Sequence, residues 1–286
     1  WGILIPPSIL MILYALITGV SVGQMFAAGI MPGILLMVLT AIYILVRCHL
    51  QPELAPALPK EERGTWPEKL RALRAVLLPI GVVVMVLGSI IGGITTPTEA
   101  AAMGVLGALI SAAVYKQFKW SILKEAAIRT FKLTGMIMWI LFAAHAFSAA
   151  YQSMGAQELI EGLMNMVPGG PWGIIIAMMV IVFLLAMVLD PVGIMLITLP
   201  VFMPIVESLG FDPIWFGILF VINMEIGYMT PPFGFNLFYL KGIVPPSITM
   251  KDIYKSIIPF VIVEIIGIIL IMIFPEIATW LPELLF

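Results

Sequence analysis

Charged side chains are scarce in this sequence, and their scarcity excludes a water-soluble globular protein. Lys, Arg, Asp and Glu make up 10% of the 286 residues, whereas 62% are hydrophobic. Soluble domains carry about 25% charged residues. With a mean hydropathy of +1.15, the chain cannot present a solvated surface on all sides. Because only helices and closed barrels can span a bilayer, the apolar runs described below predict an all-α polytopic membrane protein.

Cysteine and the motifs of soluble chemistry are also missing or rare. The single cysteine, Cys48, excludes a disulfide within the chain. The sequence contains no metal-ligand cluster of Cys and His, no phosphate-binding loop and no glycine-rich dinucleotide turn. The chain therefore does not hydrolyse ATP, and no nucleic-acid partner is expected. Any transport must be driven by an ion gradient or coupled elsewhere.

Apolar runs of membrane-crossing length recur along the whole chain. A helix needs about 20 residues to cross the ~30 Å of hydrocarbon in a bilayer. The runs lie near residues 2–22, 25–46, 75–93, 98–115, 133–152, 171–208, 212–242 and 258–275. We interpret 2–22 and 212–242 as broken helices, because each contains a Pro-Pro pair.

The charged residues between these runs predict the orientation of the chain. Every Lys and Arg lies in the connectors 47–74, 116–132 and 241–256, which the positive-inside rule places in the cytoplasm. The connector 153–170 and the tail from 276 contain no Lys or Arg, and their acidic residues are Glu158, Glu161, Glu276 and Glu283. We place both outside. The basic 116–132 segment is typical of an amphipathic arm helix at the membrane surface.

The run 171–208 turns at its middle, where the sequence reads Asp190-Pro191. The 133–152 helix runs outward, and 212–242 must enter from outside to reach a cytoplasmic connector. The segment between them therefore begins and ends outside. This predicts a re-entrant hairpin with Asp190 at its tip.

A Pro-Pro pair occurs twice in matching surroundings. The matching positions share one constant shift along the chain and are Gly2 with Gly227, Pro6 with Pro231, Pro7 with Pro232, and Tyr14 with Tyr239. Neither proline of a pair can donate the N–H that a continuous helix requires. The first copy runs outward and the second inward, which predicts an inverted-topology repeat. Broken helices at corresponding places in two repeats indicate a transporter's binding site.

Oxygen-bearing groups converge near the second break. Asn223, Thr230 and Asn236 surround it, and the prolines are expected to free the carbonyls of Gly227 and Tyr228. Asp190 at the hairpin tip adds a carboxylate, which is costly at membrane depth and so favours a function. Such ligands suit an alkali cation such as Na⁺. An alternative for Asp190 is a helix cap, since Asp-Pro is also common in turns.

Other polar residues allow a structural or a functional interpretation. Around the first break, Ser8 and Thr18 offer hydroxyl groups beside the carbonyls of Gly2 and Ile3. In the stretch 92–100, Thr98 as N-cap or Pro97 in the first turn, with Glu99 at the positive helix end, gives a structural explanation. His145 in an apolar helix is expected to be a buried neutral histidine rather than a proton relay.

Four separated motifs resemble those of a known family, in the same order and over essentially the whole chain. They are Gly2–Ser8, Gly93–Ala100, Leu189–Pro191 and Asn223–Phe238. Together they are similar to the large permease subunit of TRAP transporters, the DctM-like tripartite ATP-independent periplasmic systems. The wider resemblance is to the ion-transporter superfamily, which includes divalent-anion/Na⁺ symporters.

The resemblance implies an elevator fold with inverted repeats, in which a domain of hairpins and broken helices slides against a scaffold. It implies Na⁺-coupled uptake of a small organic acid, such as a C4-dicarboxylate or sialic acid. A periplasmic binding protein would deliver the substrate, and a small four-helix membrane subunit would complete the scaffold. The complex would lie in the cytoplasmic (inner) membrane of a bacterium or archaeon.

Carried over by position, the resemblance also implies individual site residues. The first Na⁺ site would comprise Gly2, Ile5, Pro6 and Ser8. The second would comprise Asp190, Gly227, Thr230 and Pro231. Substrate-binding candidates are Pro7, Ser8, Asn223, Pro232 and Asn236. No Arg lies in an apolar run, so anion binding would depend on hydroxyl groups and on N–H groups at helix ends.

The repeat also predicts how the chain is divided. Residues 1–46 would end the first repeat, 47–74 would be a cytoplasmic connector, and 75–286 would form the second repeat. The hairpin that should face the first Pro-Pro pair has no counterpart, so we expect an N-terminally incomplete chain that lacks most of the first repeat and does not transport alone.

Three other functions remain open from sequence. A stand-alone divalent-anion/Na⁺ symporter would need no binding protein, and the dependence of uptake on that protein separates the two. An intramembrane enzyme using Asp190, His145 or Glu99 would need paired catalytic groups at one depth. A non-transporting scaffold or channel subunit would leave the duplicated helix breaks unexplained.

Overall fold

A computed structural model describes residues 2–54, 56, 59, 64–155, 162, 167–232, 234–245 and 247–286. All regular secondary structure in these ranges is helical. The α-helices are α1 (Ile9–Thr18), α2 (Val22–Leu50), α3 (Trp66–Ile91), α4 (Pro97–Val114), α5 (Trp120–Ser153), α6 (Gly170–Ala186), α7 (Pro191–Ser208), α8 (Pro213–Met229), α9 (Phe235–Ile243), α10 (Met250–Ile273) and α11 (Glu276–Leu285). Glu158 and Glu161 lie outside the described residues.

Six of the described helices are long and apolar enough to cross a membrane. They are α2, α3, α4, the first part of α5, α7 and α10. The helices α1, α6 and α8 are apolar but shorter, with 10 to 17 residues. Short apolar helices suit broken or re-entrant segments, whose halves need not each cross the bilayer. In the predicted hairpin 171–208, the first half is short, whereas the second half, α7, has the length to cross.

The chain divides into two compact units. One comprises residues 1–39 and 132–284 together with Phe286, and the other comprises 40–131 together with Leu285. The boundaries between the units fall inside α2 and α5. The predicted division into 1–46, 47–74 and 75–286 describes an internal repeat. The two compact units reflect which residues pack together, so they do not test whether a repeat exists. This division stays a prediction.

Helix α3 begins nine residues before the predicted apolar run that starts at residue 75. Thr65 and Glu68 form a capping box, in which the Glu68 carboxylate accepts the Thr65 N–H at 2.7 Å. Pro67 lies in the first turn, where no N–H donor is needed. From the sequence, Pro52, Pro56, Pro59 and Pro67 are expected to break any long helix in the 47–74 connector. For Pro67 this expectation is wrong, and the basic end of that connector is helical.

Helix α5 joins two predicted elements into one. The amphipathic arm 116–132 and the apolar helix 133–152 were expected as separate helices, but residues 120–153 form a single helix. The segment contains no proline, and Gly135 is its only glycine. After Lys132 the helix surface changes from basic to apolar, so it favours lipid over water. This change does not interrupt the backbone hydrogen bonds of the helix.

Helices α6 and α7 form a hairpin whose turn is residues 187–190. Both of its helices pack against α8. Helix α8 is the core of its unit, since every residue from Trp215 to Tyr228 is buried. After Met229 the helix breaks at the second Pro-Pro pair, and α9 follows from Phe235.

Tyr14 fastens α1 to this core. It is completely buried, and its hydroxyl donates to the carbonyl of Pro213 at 2.6 Å. Its ring lies against Gly217 of α8, where an added Cβ would come within 2.6 Å of the Tyr14 Cε1 atom and 2.7 Å of the Met25 methyl. A close approach of α1 and α8 therefore depends on the missing side chain at residue 217.

We expect Gly217→Ala to destabilise the protein by about 1–3 kcal/mol, because the new methyl group overfills a packed contact. The measurement is thermal unfolding of the purified protein in detergent. Gly135→Ala is the matched control, since a Cβ there meets nothing within 4 Å. Removing a helix glycine should leave stability unchanged or raise it by roughly 0.5–1 kcal/mol. Equal unfolding temperatures for Gly217→Ala and the wild type would contradict the packing argument.

Candidate functional site

The second Pro-Pro pair follows α8 directly and leaves its last carbonyls without helical donors. Pro231 lacks the N–H that would bond to the carbonyl of Gly227. The N–H of Thr230 donates to that carbonyl instead, at 3.1 Å, and the Thr230 hydroxyl donates to the carbonyl of Ile226 at 2.7 Å. The helical bond to Gly227 is thus lost, but its carbonyl is not left without a partner. Its second lone pair remains available to a ligand.

The tip of the α6–α7 hairpin lies against this break. Gly227, in the last turn of α8, faces Ala186, the last residue of α6. A Cβ at residue 227 would lie 2.2 Å from the Cβ of Ala186 and 3.0 Å from its carbonyl carbon. The two backbones therefore touch at this point, and the turn 187–190 begins beside the break.

Four helix ends come from this one region. Helices α6 and α8 end here, and α7 and α9 begin five and six residues after those ends. A helix C-terminus carries partial negative charge and favours a cation, whereas an N-terminus carries partial positive charge and favours an anion. The region can therefore attract both kinds of ion without a buried Lys or Arg.

Asp190 caps α7. Its Oδ1 accepts the N–H of Gly193 at 2.9 Å, which is the helix-cap role that the sequence left open as an alternative. The side chain is exposed at the hairpin tip, and the cap occupies one of its two carboxylate oxygens. The other oxygen can accept a bond from a ligand. The cap and an ion-binding role are therefore compatible.

The other candidates around the second break differ in their surroundings. Pro231 is half-buried, Pro232 is exposed, and Asn236 is exposed in the first turn of α9. Asn223 lies farther back in α8 and is buried, with its Nδ2 donating to the carbonyl of Met179 in α6 at 2.5 Å. Its amide nitrogen thus fastens the hairpin to α8, away from the break.

Asn223 also lines a groove of about 670 Å³ between α6, α8 and α10. The other lining side chains are apolar, and they are Trp172, Ile176, Met179, Val180, Phe183, Ile226, Ile265, Ile268, Ile269, Met272 and Ile273. Such a lining gives a charged organic acid few partners. Asn223 is therefore the least favourably placed of the predicted substrate residues.

The first Pro-Pro pair precedes α1, and the side chain of Ser8 links the segment before the prolines to the first turn of that helix. The Ser8 hydroxyl donates to the carbonyl of Ile3, and its oxygen accepts the N–H of Met11 as the N-cap of α1. Ser8 is buried, and Pro6 is buried with it. The carbonyl of Ile3, predicted to be free, therefore has a side-chain partner.

The remaining residues of the first candidate site are more open. Gly2 and Pro7 are exposed, and Ile5 is 41% exposed. The loop packs on α2, where a Cβ at Gly29 would come within 2.6 Å of the Leu4 carbonyl oxygen. The two copies of the motif also share one backbone feature, since both Pro-Pro peptide bonds are cis.

The other polar candidates lie elsewhere. His145 is exposed, not buried as expected, and its Nδ1 lies 2.9 Å from the carbonyl of Leu141. It lines a cavity of about 270 Å³ with Thr18 and Glu207. At the start of α4, Thr96 and not Thr98 is the N-cap, and Glu99 completes a capping box. That motif has a structural explanation.

Two contacts that position the site were missed from the sequence. They are the close approach of Gly227 to Ala186 and the bond from Tyr14 to Pro213. A small residue at each of 186 and 227 is compatible with close helix packing, but it does not identify the partner. The repeat marked Tyr14 as a matching position without indicating what it binds.

We expect Gly227→Ala to force the hairpin tip away from α8 and to cost about 1–3 kcal/mol of stability. Ala186→Gly in the same chain removes the nearest clash, so the double variant should recover part of this loss. Recovery stays partial because the backbone of Ala186 also lies within 3.0 Å of the new Cβ. Thermal unfolding of the wild type, both single variants and the double variant gives the coupling free energy, expected at roughly 0.5–3 kcal/mol. Strictly additive effects would contradict the contact.

Comparison with known proteins identifies the family. Residues 1–277 match the family model for the tripartite ATP-independent periplasmic transporter, DctM component. The chain is 35% identical over 284 residues to the ectoine TRAP transporter large permease protein TeaC of Halomonas elongata, covering 99% of this chain and 65% of that protein. It is 36% identical over 307 residues to the C4-dicarboxylate TRAP transporter large permease protein DctM of Vibrio cholerae, covering 99% and 66%.

A more distant relative is the sialic acid TRAP transporter permease protein SiaT of Haemophilus influenzae, 27% identical over 287 residues that cover 99% of this chain and 45% of that protein. The chain spans about 65% of the length of the first two relatives. The resemblance drawn from four motifs is thus confirmed, and the relatives named here are transporter permease proteins rather than enzymes. The chain belongs to the DctM component family of the tripartite ATP-independent periplasmic transporters.

Proposed function

We propose that this chain forms the transport core of a Na⁺-coupled TRAP importer for small organic acids. The observation that carries the proposal is the contact between the hairpin tip at Ala186 and the break after Gly227. It brings the ends of two helices together, and Asp190 follows Ala186 by four residues and Thr230 follows Gly227 by three. A continuous pair of packed helices would present no such groups.

The groups at this contact fit Na⁺. Carbonyl oxygens at the ends of α6 and α8, the Thr230 hydroxyl oxygen and the second oxygen of Asp190 are all hard donors, and hard cations prefer oxygen ligands. We propose that Asp190, Gly227, Thr230 and Pro231 hold one ion. A second ion would be held at the first break by Gly2, Ile5, Pro6 and Ser8, where the Ser8 oxygen and the backbone carbonyls are the corresponding donors.

The substrate anion would be held by helix N-termini. Helices α1 and α9 begin two and three residues after a Pro-Pro pair, so the N–H groups of their first turns each lie close in sequence to the proposed ion ligands. Pro7, Ser8, Pro232 and Asn236 lie at these starts and are the preferred contacts. Asn223 would contribute only through its carbonyl oxygen, because its nitrogen bonds to Met179.

The family supports the proposed partners and substrate class. The relatives' names include ectoine, C4-dicarboxylate and sialic acid transporters. We propose that a periplasmic binding protein delivers a substrate of this organic-acid class, and that a small four-helix membrane subunit assembles with the permease. Membership of a tripartite family favours this arrangement over a stand-alone symporter.

We further propose an elevator movement built on an inverted repeat. The duplicated Pro-Pro motif supports the repeat, and its opposite directions follow from the charge distribution. The hairpin, both breaks and α8 belong to one compact unit. Movement of that unit as a body would carry the ions and the substrate together.

The test is uptake by the full-length transporter with its membrane partner and binding protein in proteoliposomes. Asn caps helices about as well as Asp, so Asp190→Asn keeps the cap and removes the charge. We expect the Na⁺ concentration for half-maximal uptake to rise about tenfold or more, because a charge-assisted interaction contributes about 1.5–3 kcal/mol.

Asp212→Asn is the matched control. Asp212 caps α8 as Asp190 caps α7, with its Oδ1 accepting the Trp215 N–H at 2.8 Å, but it lies at the opposite end of α8 from the break. Its replacement should leave the Na⁺ dependence unchanged. Uptake indifferent to a Na⁺ gradient would refute the coupling. If both variants change the Na⁺ concentration for half-maximal uptake equally, Asp190 only caps its helix and does not bind the ion.

A further inference from the structure

The corner between α4 and α5 concentrates aromatic and basic side chains far along the chain from the candidate site. Its sequence alternates the two kinds, from Tyr115 and Lys116 through Phe118 and Lys119 to Trp120. All six residues of 115–120 are exposed. Helix α4, which ends at Val114, is long and apolar enough to cross a membrane, so the corner lies at the level where a bilayer meets water.

The backbone of this corner fixes the position of Lys116. The N–H of Gln117 donates to the carbonyl of Ala112 at 2.8 Å, and that of Lys116 donates to Ala113 at 3.0 Å. This hydrogen-bond pattern caps the C-terminus of α4. It requires a left-handed backbone conformation at Lys116, whose φ is 56°. Glycine usually occupies such a position. Here a lysine does, which sets its charge beside the negative end of α4.

The sequence around this corner carries an excess of positive charge. The stretch 115–132 contains five basic residues and a single acid, Glu125. Glu125 is paired with Arg129 at 2.6 Å, one turn along the exposed surface of α5. No other acid in the stretch is available to Lys116, Lys119 or Lys124.

Exposed aromatic residues lie beside these lysines in the sequence. Trp120 is 72% exposed and Phe118 is 48% exposed. Trp side chains at membrane–water interfaces place an apolar ring at the headgroup level, and lysines extend their charge toward the headgroups. Exposed lysines that alternate in sequence with exposed aromatic residues are complementary to an acidic headgroup attached to acyl chains.

We propose that the α4–α5 corner binds the headgroups of anionic phospholipids. Lys116, Lys119 and Lys124 hold the headgroup phosphate, and Phe118 and Trp120 lie beside the upper acyl chains. The ligand is a lipid of the surrounding bilayer, and the site is independent of the ion and substrate sites. Each lysine near an anionic surface should contribute about a fivefold preference over a neutral lipid.

The test uses the full-length protein in bilayers that contain brominated lipids, which quench a nearby Trp. The chain has seven Trp residues, so the signal of Trp120 is the difference between the wild type and Trp120→Phe. Because three lysines contribute about fivefold each, we expect brominated phosphatidylglycerol to quench this signal at a roughly hundredfold lower mole fraction than brominated phosphatidylcholine. The preference should fall by at least about tenfold in Lys116→Gly/Lys119→Gln.

Lys116→Gly is chosen because glycine favours the left-handed backbone found there, so the variant removes a charge without disturbing the turn. The matched control is Lys251→Gln/Lys255→Gln, which removes two exposed lysines from the start of α10. It should leave the preference unchanged. Equal quenching of wild-type Trp120 by the two lipids would overturn the proposal. So would a preference that survives the loss of Lys116 and Lys119, or one that disappears in the control.

Discussion

A helix that breaks inside a membrane releases backbone carbonyl and N–H groups that no water can satisfy, and each unpaired group costs several kcal/mol in hydrocarbon. Around the second Pro-Pro pair of this chain, other groups supply the hydrogen bonds that the prolines cannot make. Thr230 donates twice to the end of α8, and the hairpin tip covers the break at Gly227. Lone pairs remain on the same oxygens, which is the condition for an ion site. The same carbonyl and hydroxyl oxygens thus complete the backbone hydrogen bonds at the break and remain able to bind an ion.

Several features of this region could be predicted from the sequence because they depend on local chemistry. Proline cannot donate a hydrogen bond, so both helix breaks follow from the Pro-Pro pairs. Asp190-Pro191 inside an apolar run predicts a turn, and the structure turns there between α6 and α7. Composition alone predicted a membrane protein, since 10% charged residues cannot cover a soluble fold, and the long apolar runs predicted that its spans are helical.

Features that depend on context were missed or wrong. Pro67 reads as a helix breaker, but in a first turn it costs no hydrogen bond, so α3 begins before it. The change from basic to apolar residues after Lys132 predicted a boundary that the backbone of α5 does not have. The contact between Ala186 and Gly227 joins residues 41 positions apart, and nothing in either local sequence specifies the other.

The two copies of the Pro-Pro motif show how similar sequences acquire different surroundings. Tyr14 and Tyr239 occupy matching positions, but Tyr14 is completely buried against α7 and α8, whereas Tyr239 is 77% exposed on α9. Neither Pro-Pro pair is helical and a helix begins shortly after each, because that property is local. Their packing partners differ, because partners are supplied by distant segments.

The central claim is that the hairpin tip and the second helix break together bind Na⁺. Hydrogen–deuterium exchange of the full-length protein, compared in Na⁺ and in K⁺ at equal ionic strength, tests it most directly. The account predicts slower exchange in Na⁺ for segments 186–193 and 226–232 together, with residues 120–131 unchanged. Identical exchange in the two salts, or Na⁺ protection confined to other segments, would contradict it.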